Sequence, residues 1–203
     1  METIAQVLKR SNKEMKAMQR ESLNFLKKTN TPIQLTSKEF LTKYNPDYIL
    51  CRCKGMTIQD INTLCIFADT PTLSELKAWY GANTPIVWLM SQLRSLSEFC
   101  GAKEKMQSDI AEKTANIIYA NYYYLTASEL LLFFFKFSTG KYGKFYGVVD
   151  PQTIITALQS FVTYERNPAI ERKEMEEHLK QREQEKLQAI KYDEYVRLKN
   201  NNN

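Results

Sequence analysis

Four threonines in this 203-residue chain each stand three positions before an acidic residue, and this spacing constrains the fold more than any other feature. The threonine hydroxyl can accept a hydrogen bond from a free N–H of a first helical turn, while the acid reaches back to the threonine backbone. Each pair therefore predicts the start of a short helix. The pairs are Thr36/Glu39, Thr57/Asp60, Thr72/Glu75 and Thr126/Glu129.

Other residues add helix starts and stops, and strand signals are nearly absent. Thr84-Pro85 and Asp150-Pro151 each place a capping side chain before a proline. Tyr48–Cys53 has strand-forming residues but no evident partner strand, so we interpret it as a loop or a short helical turn. The pattern predicts an all-α fold, a compact multi-helix domain. The expected helices are 3–28, 37–44, 57–67, 72–80, 85–99, 103–124, 127–138, 151–165 and about 169–198; Gly81, Gly101 and Gly140 suit helix ends.

The segment 117–137 is apolar and long enough to raise the question of a membrane span. The carboxylate of Glu129, the amide of Asn121 and the helix start at Thr126 argue against a span, because a break and a charge are costly in hydrocarbon. The run 130–135, Leu-Leu-Leu-Phe-Phe-Phe, is apolar on every side of a helix. It therefore predicts a central helix that other helices cover.

The net charge of +5 comes entirely from the N-terminal part of the chain. Residues 1–43 carry nine Lys/Arg against four Asp/Glu, whereas the two kinds of charge balance over 44–164 and again over 165–203. Such a basic amphipathic helix attracts DNA or another polyanion, or it is an ordinary solvated helix face; both interpretations stay open. Its candidate contact residues are Lys9, Arg10, Lys13, Lys16 and Arg20.

These observations divide the chain into a basic amphipathic helix over 1–30, a helical core domain over 31–167, and a charged helix with a frayed asparagine tail over 168–203. The composition is too apolar for a disordered protein, and no signal peptide is recognisable. We expect a cytoplasmic protein with four reduced cysteines.

The stretch 138–151, Ser-Thr-Gly-Lys-Tyr-Gly-Lys-Phe-Tyr-Gly-Val-Val-Asp-Pro, joins two predicted helices. It lacks the preceding strand, the glycine spacing and the Lys-Ser/Thr pair of a nucleotide-binding loop. Two lysines alternate with tyrosines on a glycine-rich backbone, which suits contact with single-stranded nucleic acid; a structural turn and a protein-recognition loop remain alternatives. The four candidate contact residues are Lys141, Tyr142, Lys144 and Tyr146.

The sequence offers little support for catalysis or metal binding. The cysteines have the wrong spacing for zinc, and the one histidine, His178, lies in the charged C-terminal segment. Trp79, Tyr80 and Trp88 are either core residues or binding anchors. We predict a non-enzyme with no metal and no cofactor.

Two runs carry a resemblance to a known group of proteins. The run 71–81, Pro-Thr-Leu-Ser-Glu-Leu-Lys-Ala-Trp-Tyr-Gly, and the longer run 125–167, with its "GKYGKFYGVVDPQTI" at 140–154 and "YERN" at 164–167, resemble a family of small uncharacterised helical proteins from phages and mobile elements of gut Bacteroidetes. The similarity covers about 57–170. It implies a place beside replication and transfer functions but supplies no catalytic residues.

The function expected from the sequence is that of a non-enzymatic accessory protein of a phage or mobile element, which binds DNA or a replication protein in the host cytoplasm. The alternative is a protein–protein adaptor or homo-oligomeric structural protein, joined through the N-terminal helix, with no nucleic-acid contact. The imperfect heptads of that helix make it weak as a free coiled coil.

Overall fold

The computed structural model describes residues 35–100, 105–143 and 149–201, and it confirms the all-α prediction. Within these ranges the only β pairing is an isolated bridge between Thr72 and Thr126. The predicted helix 3–28, with its basic residues, and the residues Lys144 and Tyr146 lie outside them. The helices are α1 (Ser37–Lys43), α2 (Tyr48–Arg52), α3 (Ile58–Ile66), α4 (Leu73–Tyr80), α5 (Thr84–Phe99), α6 (Ser108–Tyr122), α7 (Ala127–Ser138), α8 (Pro151–Phe161) and α9 (Asn167–Asn201), with a π-helical turn (Val162–Arg166) before α9.

All four predicted threonine–acid pairs form reciprocal caps, at the starts of α1, α3, α4 and α7. At α1, for example, the Glu39 N–H donates to Thr36 Oγ1 at 3.2 Å, and the Thr36 N–H donates to Glu39 Oε2 at 2.7 Å. These bonds to the carboxylates also lower the pKa values of Glu39 and Asp60. The sequence therefore specified these helix starts locally.

The start of α5 corrects one detail of the prediction. Thr84 was expected to cap the helix from outside, but it is the first residue of α5 and Asn83 occupies the cap position. The Thr84 hydroxyl instead donates to the Tyr80 carbonyl at 2.8 Å, so it closes the last turn of α4. The short connection through Gly81, at φ 107°, lets the Thr84 hydroxyl reach that carbonyl. At α8 the Asp150 carboxylate does cap, by accepting from the Thr153 N–H at 2.9 Å.

Helix α7 is the centre of the larger part of the fold. Leu130, Leu132 and Phe133 are completely buried, and Phe137 is 1% exposed. Helices α2, α3 and α5 all pack against α7. The continuous apolar run therefore forms a helix that is covered on all sides, as predicted.

The beginnings of α4 and α7 lie side by side and share backbone hydrogen bonds. The Leu73 N–H donates to the Leu125 carbonyl at 3.0 Å, and the Ala127 N–H donates to the Pro71 carbonyl at 2.9 Å. The buried hydroxyl of Ser128 adds a bond to the Cys65 carbonyl at 2.8 Å. The first turn of α7 is thus tied both to the start of α4 and to the end of α3.

Aromatic side chains fasten α1 to α4 and α5. The Phe40 ring lies 4.9 Å from Tyr44 and 6.0 Å from both Tyr80 and Trp88, measured between ring centroids. The Trp88 Nε1–H donates to the Tyr44 carbonyl at 2.8 Å, and the Tyr80 hydroxyl donates to the Leu35 carbonyl. Tyr80 and Trp88 are therefore core residues.

The described residues divide into two compact units, one up to residue 159 and the other from residue 160 onward. In the second unit, the π-helical turn leads into α9, and every side chain from 171 to 188 is exposed. Charges of both signs occur one turn apart on α9, as in the pair of Lys173 and Glu177 at 3.9 Å. The domain boundaries expected from the sequence stay a prediction. Among the described helices, none combines the length and the apolar character needed to cross a bilayer.

The substitution Tyr80→Phe should reduce the loss of stability at alkaline pH. Burial, with the charge of Glu39 as a smaller cause, raises the pKa of Tyr80 to about 12. A tyrosine in the unfolded chain has a pKa of about 10. The stability that the neutral, buried Tyr80 contributes is therefore complete below that pH, and it is lost as pH rises toward about 12. We expect the free energy of unfolding, measured with urea, to fall less steeply over that range in Tyr80→Phe. The exposed Tyr124→Phe is the matched control, and equal slopes for all three proteins would contradict the prediction.

Candidate functional site

The structure describes two of the four corner residues that were predicted to contact nucleic acid, Lys141 and Tyr142. Gly140 and Gly143 have positive φ angles of 78° and 118°, which allow the chain to turn sharply. The Gly140 N–H donates to the Phe137 carbonyl at 3.0 Å, and the Lys141 N–H donates to the Lys136 carbonyl at 3.3 Å. The corner therefore forms the C-terminal cap of α7. This agrees with the interpretation of the stretch as a structural turn.

Lys141 and Tyr142 face different surroundings in this corner. Lys141 is exposed, whereas Tyr142 is half-buried. The Tyr142 ring lies 5.7 Å from Phe133 and 6.3 Å from Phe137, both of which belong to the core. Tyr142 thus packs against α7, and the Lys141 ammonium lies 5.9 Å from the centroid of this ring. The grouping of both with Lys144 and Tyr146 as a contact surface stays a prediction.

Sequence reasoning missed a groove that opens between α5 and α7, with α2 as its third wall. This α5–α7 groove has a volume of about 250 Å³. Its lining residues come from three parts of the first unit. They are Pro46, Asp47 and Leu50; Gln92, Ser95, Leu96 and Phe99; and Phe134, Phe135, Ser138 and Thr139.

The groove has an apolar floor, and two large apolar side chains lie at its rim. Leu96 and Phe134 form buried parts of its lining, at 4% and 6% exposure. Leu50 and Phe99 stand at its opening with 56% and 70% of their surface exposed. Single exposed apolar residues are common on protein surfaces, but two large ones at the mouth of one cavity form a surface suited to an apolar ligand.

The polar side chains of the groove are mostly engaged within the protein. Gln92 Nε2 donates to the Tyr44 carbonyl at 3.3 Å. The hydroxyls of Ser138 and Thr139 donate to carbonyls of their own helix at 2.7 and 2.8 Å. Asp47 is the one titratable residue in the lining. This arrangement can hold an apolar group, but it brings no acid and base together for proton transfer.

The described residues also contain no cluster of three or more His, Cys, Asp or Glu side chains that is suited to a metal ion. The four cysteines are free thiols, and Cys53 and Cys65 are buried. Burial raises the pKa of Cys53 and raises that of Cys65 to about 12.

The groove and the glycine corner are neighbours along the chain. Thr139 is the last residue of the groove lining, and the corner begins at the next residue, Gly140. The structure therefore places the segment singled out in the sequence beside a largely apolar groove. The sequence held no signal of that groove, because its lining residues come from distant parts of the chain.

Comparisons with known proteins identify one family match, in the C-terminal part of the chain. The C-terminal part of the chain, residues 105–203, matches a family of unknown function (DUF6633). This match spans just under half of the chain and includes the glycine corner and the run 164–167. No curated protein matches the chain, and no solved structure matches it. The resemblance to phage and mobile-element proteins stays a prediction.

The corner predicts different effects for its two described side chains. Tyr142→Ala removes ring contacts with Phe133 and Phe137 and should lower the free energy of unfolding by roughly 1–3 kcal/mol. Lys141→Ala removes an exposed side chain and should change it by less than about 0.5 kcal/mol. Urea unfolding of both variants and of the wild type measures the difference. Equal stability of Tyr142→Ala and wild type would show that the ring does not support the core.

Proposed function

We propose that this protein is a non-enzymatic accessory protein that binds an amphipathic helix of a partner protein in the α5–α7 groove. The single observation that carries this proposal is the pair of exposed apolar residues, Leu50 and Phe99, at the mouth of an apolar cavity. Grooves between packed helices commonly take the apolar face of a partner helix, which inserts one or a few anchor side chains.

The size of the groove favours a side chain over a cofactor. Sites for small molecules of drug or cofactor size usually measure about 300–1,000 Å³. The groove, at about 250 Å³, is slightly smaller than that range. A volume of this size suits one large apolar anchor with its neighbours resting on Leu50 and Phe99.

The electrostatics of the groove also favour a protein partner. The groove mouth carries the exposed carboxylate of Asp47, and Thr139 and the corner stand at the C-terminal end of α7. The C-terminal end of a helix bears a partial negative charge, which disfavours phosphate and favours cations. A partner helix with a basic residue near its apolar anchor would complement this surface.

A display library of amphipathic helical peptides, selected on the full-length protein, tests the groove. We expect enriched peptides to share an aromatic or aliphatic anchor, whose replacement by alanine weakens binding at least about tenfold. Leu50→Asp and Phe99→Asp should weaken binding of the same peptides at least about tenfold, because each puts a charge against the apolar anchor.

Ile58→Asp is the matched control for these groove variants. Ile58 is an exposed apolar residue, 53% accessible, at the start of α3 and outside the groove lining. It should leave peptide binding unchanged, and circular dichroism should show that all three variants keep their helices. Peptides that bind the groove variants as tightly as the wild type, or a selection without enrichment, would contradict the proposal.

Nucleic-acid binding is the second candidate, and the exposed Lys141 at the corner favours it. The basic segment 1–43 would add to the attraction for phosphates through its field. The described part of the first unit has balanced charge, so these two regions would carry the binding.

Replacing Lys141 and Lys144 together by alanine tests this candidate with a labelled single-stranded DNA. If both lysines contact phosphate, binding at low salt should weaken, and the slope of log affinity against log salt should fall by about 2. The double variant Lys54→Ala with Lys113→Ala removes the same charge from exposed sites elsewhere and should have a smaller effect. Unchanged binding in the first variant, or no binding by the wild type, would remove this candidate.

Two further parts of the proposal concern setting and assembly. A cytoplasmic location and a role beside the replication machinery of a phage or mobile element rest on the sequence resemblance and on the free thiols. Self-association through residues 1–28 is a third candidate, and light scattering of the full chain and of a chain without those residues tests it. An unchanged assembly state would remove it.

A further inference from the structure

The N-terminal segment of this chain, residues 1–34, lies outside the described residues, but the structure shows where it is attached. The described chain starts at Leu35, whose carbonyl accepts a hydrogen bond from the hydroxyl of Tyr80, the last residue of α4. Helix α5 follows α4 directly, and its groove-lining part runs from Gln92 to Phe99, roughly 12 to 22 Å along the helix axis. The α5–α7 groove therefore lies roughly 10–25 Å from the attachment point.

The segment is long enough to cover this distance. The sequence predicts a helix over 3–28, and the residues 29–34 that connect it to Leu35 span up to about 20 Å when they are extended. Phe25 is about one helical turn further from Leu35, which adds about 5 Å. Phe25 can therefore reach the groove of its own chain.

The apolar side of the predicted helix matches what the groove can hold. A cavity of about 250 Å³ suits one large apolar anchor, and Phe25 is the only aromatic residue in the sequence of the segment. Met18 comes two turns before Phe25 on the same side of such a helix, so it would rest on the exposed Leu50 or Phe99 at the groove mouth. The segment thus supplies both an anchor and a neighbour for the rim.

The charges of the segment and of the groove are complementary. The carboxylate of Asp47 is exposed at the groove mouth and makes no cap bond to α2, and the C-terminal end of α7 adds a partial negative charge. Residues 1–43 carry the whole positive excess of the chain. Lys28 follows Phe25 by three positions, which places both on neighbouring parts of the predicted helix surface. The segment therefore has the basic residue near its anchor that this surface favours.

We propose that the segment 1–34 docks as an amphipathic helix in the α5–α7 groove of its own chain, with Phe25 as the anchor, and occupies the site until a partner helix displaces it. This inference rests on the proposed function, because it takes the groove to be a helix-binding site. A tethered segment acts at an effective concentration in the millimolar range, so even a weak contact keeps the groove occupied. A partner helix then binds with an apparent affinity that is reduced by the fraction of open grooves.

Photo-crosslinking of the dilute full-length protein tests the docking without any partner. p-Azidophenylalanine replaces Phe25, and the masses of crosslinked peptides identify the contacts. We expect crosslinks within one chain to the groove lining, in the ranges 46–50, 92–99 and 134–139. The same label at Leu23, on the opposite side of the predicted helix, should give at least about fivefold fewer of them.

Groove variants show whether the crosslinks report this site. Leu50→Asp and Phe99→Asp should lower the yield at least about fivefold, because each places a charge against the apolar anchor, whereas Ile58→Asp outside the groove should leave it unchanged. Label at position 25 that crosslinks only between chains, only outside the groove, or not at all would overturn the proposal.

Peptide binding supplies the second measurement. Phe25→Asp in the full-length protein should raise the affinity for groove-binding peptides at least about threefold, because it frees the groove, and Leu23→Asp is the matched control that should not. Equal affinities of Phe25→Asp and wild type would contradict the docked segment. Groove-binding peptides without groove crosslinks would overturn this inference and leave the proposed function standing, whereas groove crosslinks without any enriched peptide would support the docked segment and contradict the external partner.

Discussion

The burial of α7 on all sides is the constraint on which the rest of the larger unit depends. A helix with Leu130, Leu132, Phe133 and Phe137 at 1% exposure or less gains most of its stability from neighbours on every face. Helices α2, α3 and α5 supply those neighbours. Their side chains cover α7 incompletely near its C-terminal end, where the α5–α7 groove opens. The groove thus lies at the end of the apolar run, where Phe134 and Phe135 form part of its lining.

The helix starts were predictable because each cap is a local interaction. The side chains of a threonine and of an acid three residues later can bond each other's backbone N–H groups whatever the tertiary fold. The reciprocal cap therefore forms at all four sites. Thr84 shows the limit of this reasoning. Its hydroxyl can bond either to the last turn of α4 or to the first turn of α5. The short link from α4 brings the Tyr80 carbonyl within reach, and the hydroxyl donates to it. That choice depends on the path of two helices and not on residue spacing.

The groove could not be predicted in the same way, because its walls come from residues far apart in the sequence. Leu50, Phe99 and Phe135 meet only after α2, α5 and α7 are packed together. The residue type at Leu50 did not predict a groove wall, since this leucine lies in a segment interpreted as a loop or a short helical turn. The glycine corner was found from sequence because glycines and lysines cluster within a few positions. Whether its tyrosine faces the core or solvent was beyond that evidence, since either placement fits the spacing.

The packing of the Tyr142 ring against the core limits what the corner can recognise. A ring that packs against Phe133 and Phe137 offers only its outer part to a ligand, and swinging it out to stack on a base would cost those contacts. With the tyrosine engaged, contact with a nucleic acid through the described part of the corner would depend on the charge of Lys141. Charge alone gives attraction without sequence preference, and it weakens steeply with salt. The neighbouring groove offers shape and apolar surface, which set specificity between proteins. The geometry therefore makes the groove the better candidate for selective binding.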